Sequence, residues 1–288
     1  QPYNIFSDCF ATMAFGQLYV ATGEERYGQI AKTTFDHILL RSNNPKGKYS
    51  KAFPGTRELQ NFSLPMILCN LVTEIEDLLP KALVADTIDK GIHTVMDVFY
   101  QPSLGLILEN VAPDGSFVDC YEGRLVNPGH GIEAMWFIMD LAEKKKDEAT
   151  IRKAVEITLS TLEFSWDKEF GGILYFLDIK GHPPQQLEWD QKLWWVHVET
   201  LITLAKGYLH TGDERCLTWF EKVHDYTWAN FVDHEKGEWF GYLNREGRVL
   251  LPLKGGKWKG CFHVPRGMYQ LWQTMEAIAE KQALTVNA

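Results

Sequence analysis

The sequence predicts an all-α fold: an (α/α)6 barrel, or toroid, with short β-hairpins at one end and helices missing from its amino side. Three observations predict it. A unit recurs every 66 residues. Each copy runs hairpin, helix, turn, helix. Within each copy the first helix is apolar on most faces and the second on one face only, as inner and outer layers require.

The hairpins carry the repeat most plainly. "FYQPSLGLILENVAPDGSF", "SWDKEFGGILYFLDIKGHP" and "NFVDHEKGEWFGYLNREGRV" each hold two glycines ten residues apart, Gly105/Gly115, Gly171/Gly181 and Gly237/Gly247. Short alternating runs bounded by Gly, Asp and Asn read as hairpins or tight extended loops. Inner-layer helices are expected to start near Asp8, Ser63, His130, His197 and His263, and outer-layer helices near Glu24, Lys81, Asp147 and Asp213. The turn "TGEERY" at 22–27 echoes "TGDERC" at 211–216, which carries the pattern to the amino end. Ala134, Phe137, Ile138 and Leu141 mark the apolar first helices. A closed barrel of six pairs has three helices more than this count. At half a repeat each, about 100 residues are expected to precede the chain. Residues 1–288 are therefore expected to form a single α/α-barrel domain that is part of a longer barrel.

Composition narrows the function. The chain has 288 residues, 45% of them hydrophobic, enough for a large core. Its formal charge is −9 and no basic stripe stands out, which argues against nucleic acid. No apolar run approaches a membrane span, and no signal-peptide pattern opens the sequence. Five scattered cysteines without CxxC spacing read as reduced thiols, so a cytoplasmic location is expected.

Chemistry is expected where the hairpins meet the inner helices. His130, His197 and His263 stand at the same point of successive repeats, 67 and 66 residues apart, and are expected to form an arc around one pocket. Each has a charged neighbour. Glu133 and Arg266 follow their histidines by three residues and share their helix faces. Glu199 follows His197 by two, so those side chains diverge. A carboxylate would orient a ring and raise its pKa, and an arginine would stabilise a developing oxyanion. Glu133 and Glu199 also suit the first turn of a helix through its dipole. Cys261 reads as a nucleophile or base, or as a packed thiol. His210, His224 and His234 are expected on the outer layer or its loops, and His182 in a loop. No HExxH and no metal-ligand spacing occurs, which disfavours metal catalysis. Trp136, Trp189, Trp194, Trp195, Trp239 and Trp258 bracket these groups, some as core and some as platforms for a sugar ring. The segment "NNPKGKYSKAFPGTR" at 43–57 is basic and Gly-rich but is no Walker A loop, and its spacing alone reads as a surface loop.

"NPGHGIEAMWF", "QLEWDQKLWWVHVE", "GEWFGYLNREG" and "LKGGKWKGCFHVPR" resemble the N-acylglucosamine 2-epimerases, also known as the renin-binding protein family, and most of all their cyanobacterial type. The resemblance runs from Gln1 to about Ala279 and lacks the family's amino-terminal helices, which carry a further substrate-contacting arginine. It implies an (α/α)6 barrel and an isomerase that interconverts N-acetylglucosamine and N-acetylmannosamine, a sialic acid precursor. It implies a catalytic pair at His130 and His263, with Glu133, Glu199 and Arg266 supporting substrate; His197 and Trp194 join them from the repeat reading. It implies no consumed cofactor and no metal. ATP is implied as an allosteric activator acting through the 43–57 segment, at Lys46, Gly47, Lys48, Lys51 and Arg57, and the assembly as a homodimer. Cellobiose 2-epimerases and mannose-type aldose–ketose isomerases are the sibling alternatives, and a non-enzymatic protein-binding relative is the third. Removing a proton from C2 requires a C1 carbonyl, hence the open-chain sugar, and two histidines with pKa near working pH suit inversion there.

Overall fold

The structure, a computed structural model, describes residues 4–47, 53, 55–56 and 58–286. Among the described residues there are nine α-helices, eight of them in consecutive pairs, and eight two-residue strands. The chain forms two compact units. One comprises residues 1–99 and 110–116, the other residues 100–109 and 117–288.

The first unit holds α1 (Ile5–Thr22), α2 (Glu25–Arg41), α3 (Ser63–Glu74) and α4 (Lys81–His93). Asn4 caps α1 by accepting from the Phe6 N–H, and Gly23 ends it in the left-handed conformation at φ 69°. Helix α1 packs on α2 and α3, and α3 packs on α4. A π-helical turn at Thr94–Phe99 follows α4. β1 (Gln60–Asn61), immediately before α3, pairs antiparallel with β4 (Asn110–Val111).

The second unit holds α5 (Pro128–Lys145), α6 (Glu148–Ser165), α7 (Trp194–Thr211), α8 (Glu214–Asn230) and α9 (His263–Val286). Helices α5, α7 and α9 pack side by side as an inner row, and α6 and α8 lie against α5 and α7 from outside. Burial follows the layers. Every residue of α7 from Trp194 to Ala205 is buried. On α8 only Cys216, Trp219, Val223 and Thr227 are, one stripe at helical spacing. Gly267 brings α9 close to α7, where a Cβ would strike the Val198 side chain.

The repeat is visible in the turns. All six paired glycines have positive φ, between 67° at Gly105 and 83° at Gly247. The first of each pair donates its N–H four residues back, to Gln101, Asp167 and Asp233, and the second three residues back, to Ala112, Asp178 and Asn244. Each hairpin does more than fold on itself. β2 (Tyr100–Gln101) pairs with β3 (Leu106–Ile107) around Gly105. The strands just ahead of α5 and α7, however, pair with hairpin strands of the next repeat. β5 (Leu125–Val126) takes β6 (Leu177–Asp178), and β7 (Lys192–Leu193) takes β8 (Tyr242–Leu243). These short ladders tie successive repeats together where the inner helices begin. No described helix is long and apolar enough to cross a membrane.

Candidate active site

The inner helices of the second unit bring His130, Glu133, Glu199, His263 and Arg266 to one end. Asn127 opens α5 by accepting from the His130 N–H, and Pro128 holds the first helical position. His130 therefore sits in the first turn, at the mouth of the hairpins. His263 is the first residue of α9.

Both rings are held in the same way. His130 Nδ1 lies 2.9 and 3.0 Å from the two oxygens of Glu109. His263 Nδ1 lies 2.7 Å from Glu199 Oε1. A carboxylate only accepts, so each ring donates through Nδ1 and leaves Nε2 for chemistry. Trp195 stands between them, its ring 5.5 Å from His130 and 5.8 Å from His263. The imidazoles can be no further apart than those two legs laid end to end. Gly129 allows this, because a Cβ there would meet the Trp195 ring at 2.5 Å.

The carboxylates behind His263 form a charged cluster. Arg266 Nη2 donates to Glu199 Oε1 and lies 3.4 Å from Glu133 Oε1. The Trp136 indole N–H donates to Glu199 Oε2 at 3.0 Å. Burial opposes the charge on Glu199, but Arg266, His263 and the indole N–H outweigh it and hold its carboxyl well below the usual range. Glu133 goes the other way. Burial, then the charge of Glu199, push it up, only partly offset by His263, Arg266 and His130. Burial alone would lower the pKa of His130, yet the charge and hydrogen bond of Glu109 raise it. Ligand atoms of Glu133, Glu199 and His263 lie within 4.8 Å of one another, close enough for a metal ion. The Arg266 guanidinium already sits on both carboxylates and supplies the positive charge an ion would bring.

His197 does not join the arc. It is fully buried, donates from Nδ1 to the Leu193 carbonyl at 2.8 Å and accepts at Nε2 from the Ile173 N–H at 3.2 Å. Tyr226 stacks on it at 5.4 Å and Phe231 packs at 4.8 Å. Both nitrogens are spent on backbone, so it is a structural residue, not a substrate ligand. Burial lowers its pKa to about 4, and it stays neutral. Trp194 likewise turns inward, 2% exposed, against Tyr242 and Lys259. The neighbouring Trp195 takes the place between the histidines. Trp136 and Trp239 are core, Trp189 is half-buried, and Trp258 and Cys261 are exposed on the loop before α9. His210 lies in the last turn of inner helix α7, not on the outer layer.

Glu109 was not among the sequence candidates. It lies between β3 and β4, 21 residues before His130. In the 66-residue register it stands where Tyr175 and Gly241 stand, an acid that the other two repeats lack at that position. In the 43–57 segment Lys46 is exposed, and Gly47 closes a turn by donating to the Asn44 carbonyl at 3.0 Å with φ 52°. Lys48, Lys51 and Arg57 lie outside the described residues.

Comparison with known proteins places the chain in a family. The family model of N-acylglucosamine 2-epimerase (GlcNAc 2-epimerase) matches residues 1–265. The chain is 39% identical over 282 residues to N-acylglucosamine 2-epimerase of Mus musculus, covering 96% of this chain and 67% of that one. It is 37% identical over 286 residues to N-acylglucosamine 2-epimerase of Homo sapiens, covering 97% and 66%. The chain thus spans about two thirds of the length of the curated relatives it matches. A crystal structure of D-mannose isomerase has a similar fold, with TM-score 0.76 at 17% identity over 94% of this chain and 72% of that one. The chain belongs to the N-acylglucosamine 2-epimerase family, and its fold is that of the α/α barrels.

Proposed function

We propose, from the chain's place in the N-acylglucosamine 2-epimerase family and from its paired imidazoles, that it interconverts N-acetylglucosamine and N-acetylmannosamine by inverting C2. The observation that carries this is the matched pair of His–Glu dyads on either side of Trp195. The sugar reacts in its open-chain form, in which the C1 carbonyl makes the C2 proton acidic. Nε2 of one imidazole takes that proton, and the C–H electrons pass into a C1–C2 enolate whose charge sits on O1 and whose C2 carries the acetamido nitrogen. The other imidazolium returns a proton to the opposite face, so the cycle consumes nothing.

Each part of the site suits a step. Glu109 and Glu199 fix the tautomer of His130 and His263 and stabilise the imidazolium each becomes. The indole face of Trp195 gives the sugar an apolar platform. Glu133, which keeps its proton closer to neutrality than an ordinary carboxyl does, is suited to donate to the enolate oxygen O1. Arg266 supplies the fixed positive charge beside it.

The same reading takes residues 1–288 as one α/α-barrel domain, a cytoplasmic homodimer with a nucleotide such as ATP as an unconsumed activator. The domain and the homodimer are supported by the family resemblance, the activator by that resemblance and the basic, Gly-rich 43–57 segment, and the location by the scattered cysteines.

Turnover in D2O tests the reaction. Incubating either N-acetyl sugar should give both epimers with deuterium at C2. Retention of the original hydrogen would overturn the two-base reading. An unmodified sugar turned over faster than the N-acetyl sugar would move the assignment to the cellobiose or mannose siblings.

A further inference from the structure

Trp136 lies on α5 beneath the site and is 1% exposed. It occupies a position that the two-base chemistry does not itself call on. Its N–H reaches Glu199 Oε2 at 3.0 Å, whereas His263 Nδ1 and Arg266 Nη2 both bind Oε1. The two oxygens of this carboxylate therefore have separate donors, contributed by α5 and α9. The terminal torsion of a glutamate is broad, so a carboxylate held at one oxygen can still turn about its axis. Held at both, it cannot.

The indole is fixed in its turn. Lys206 Nζ lies 4.9 Å and the Arg266 guanidinium 5.3 Å from the ring centroid, and Phe137 meets it edge-on at 4.3 Å. Lys206 is anchored by Asp140 at 2.6 and 2.7 Å. Cations near the ring draw electron density from the indole and make its N–H a stronger donor. The chain of contacts runs Asp140, Lys206, Trp136, Glu199, His263, and crosses all three inner helices of the unit.

We propose that Trp136 is a positioning residue for His263: its N–H locks Glu199 in the orientation that aims Oε1 at His263 Nδ1, which keeps that ring in the tautomer with Nε2 open to substrate. The inference deepens the proposed function, since it rests on His263 being one of the two bases. The charged and titratable groups around this contact are Glu133 and Asp140 from α5, Glu199 and Lys206 from α7, and His263 and Arg266 from α9.

Two variants separate the N–H from the ring. Trp136→Phe removes the donor and some volume. Incorporating 3-benzothienylalanine at position 136 removes the donor and keeps the bicyclic shape. The readouts are the ring-nitrogen NMR shifts of neutral His263, which report its tautomer, together with kcat and KM. Wild type should show one tautomer, protonated at Nδ1. Both variants should show a mixture at His263 and an unchanged His130, with kcat lower by about tenfold and KM within about twofold of wild type. A single Nδ1–H tautomer retained in both folded variants would overturn the proposal, even with a lower kcat. If wild type placed no deuterium at C2, the proposed reaction would fall, and the tautomer measurement would still decide the role of Trp136.

Discussion

His197 opens α7 much as His130 and His263 open α5 and α9, yet the three rings have different fates. The outer two each meet a carboxylate at Nδ1 and face Trp195. The middle one meets only backbone, under Tyr226 and Phe231. A repeat reproduces where a side chain starts. What faces it from the neighbouring hairpin or helix decides what it can do. Glu109 confronts His130, whereas the Ile173 N–H of the next hairpin confronts His197. A ring with both nitrogens on backbone has no proton to exchange with a sugar; a ring held at one nitrogen by a carboxylate has one nitrogen left to work with.

The sharpest way to break this contrast is to remove each ring in turn. His130→Ala or His263→Ala should lower epimerisation by about a thousandfold or more while thermal unfolding stays cooperative. Comparable activity in either variant would undo the assignment of bases. His197→Ala should do the reverse. It leaves the Ile173 N–H and Leu193 carbonyl without the ring and opens a space beside Tyr226. Denaturant unfolding should show a loss of about 3–4 kcal/mol, with kcat per folded molecule within a few-fold of wild type.

Acid separates the rings as well. The pKa of His197 is depressed in the fold, from 6.5 to about 4. Its neutral form therefore contributes full stability above pH 6.5. As pH falls toward 4 the unfolded chain takes up a proton that the native ring refuses, and about 3 kcal/mol is lost across that window. In His197→Gln the stability profile between pH 6.5 and 4 should be correspondingly flatter when measured by denaturant titration at each pH. A profile as steep as wild type would place the acid sensitivity elsewhere.

The smallest expected effect sharpens the comparison between the two working dyads. Glu109→Gln keeps an acceptor for His130 Nδ1 but removes the charge that raises its pKa. Activity should drop by about tenfold, and the His130 titration followed by NMR should move to lower pH. A titration that did not move would mean that Glu109 holds the ring without tuning it.

The repeat made much of this fold readable. The expected helix starts at Ser63, Lys81 and His263 coincide with those observed, and Glu24, Asp147 and Asp213 cap the outer helices α2, α6 and α8. The six glycines were legible because positive φ strongly favours glycine there. Helix α7 starts at Trp194, three residues ahead of the expected His197, because β7 feeds straight into it. The pairing of β5 with β6 and of β7 with β8 had no local signal, since each partner lies most of a repeat away. The site was legible in part. His130, His263, Glu133, Glu199 and Arg266 converge because they share the first two turns of packed inner helices. Glu109 was hidden because no helical spacing links a hairpin residue to the helix that follows. Trp194 and Trp195 are adjacent and both reach His263, and only the packing of α5 at Gly129 shows which of them also meets His130.

The central claim is that His130 and His263 address one carbon from opposite sides. A crystal structure with the open-chain alditol of N-acetylglucosamine tests it most directly. The account predicts Nε2 of both imidazoles about 3–3.5 Å from C2, one on each face, with the sugar chain over Trp195 and His197 still bound to the Leu193 carbonyl. Both imidazoles on one face of C2, or either one turned away from the sugar, would contradict it.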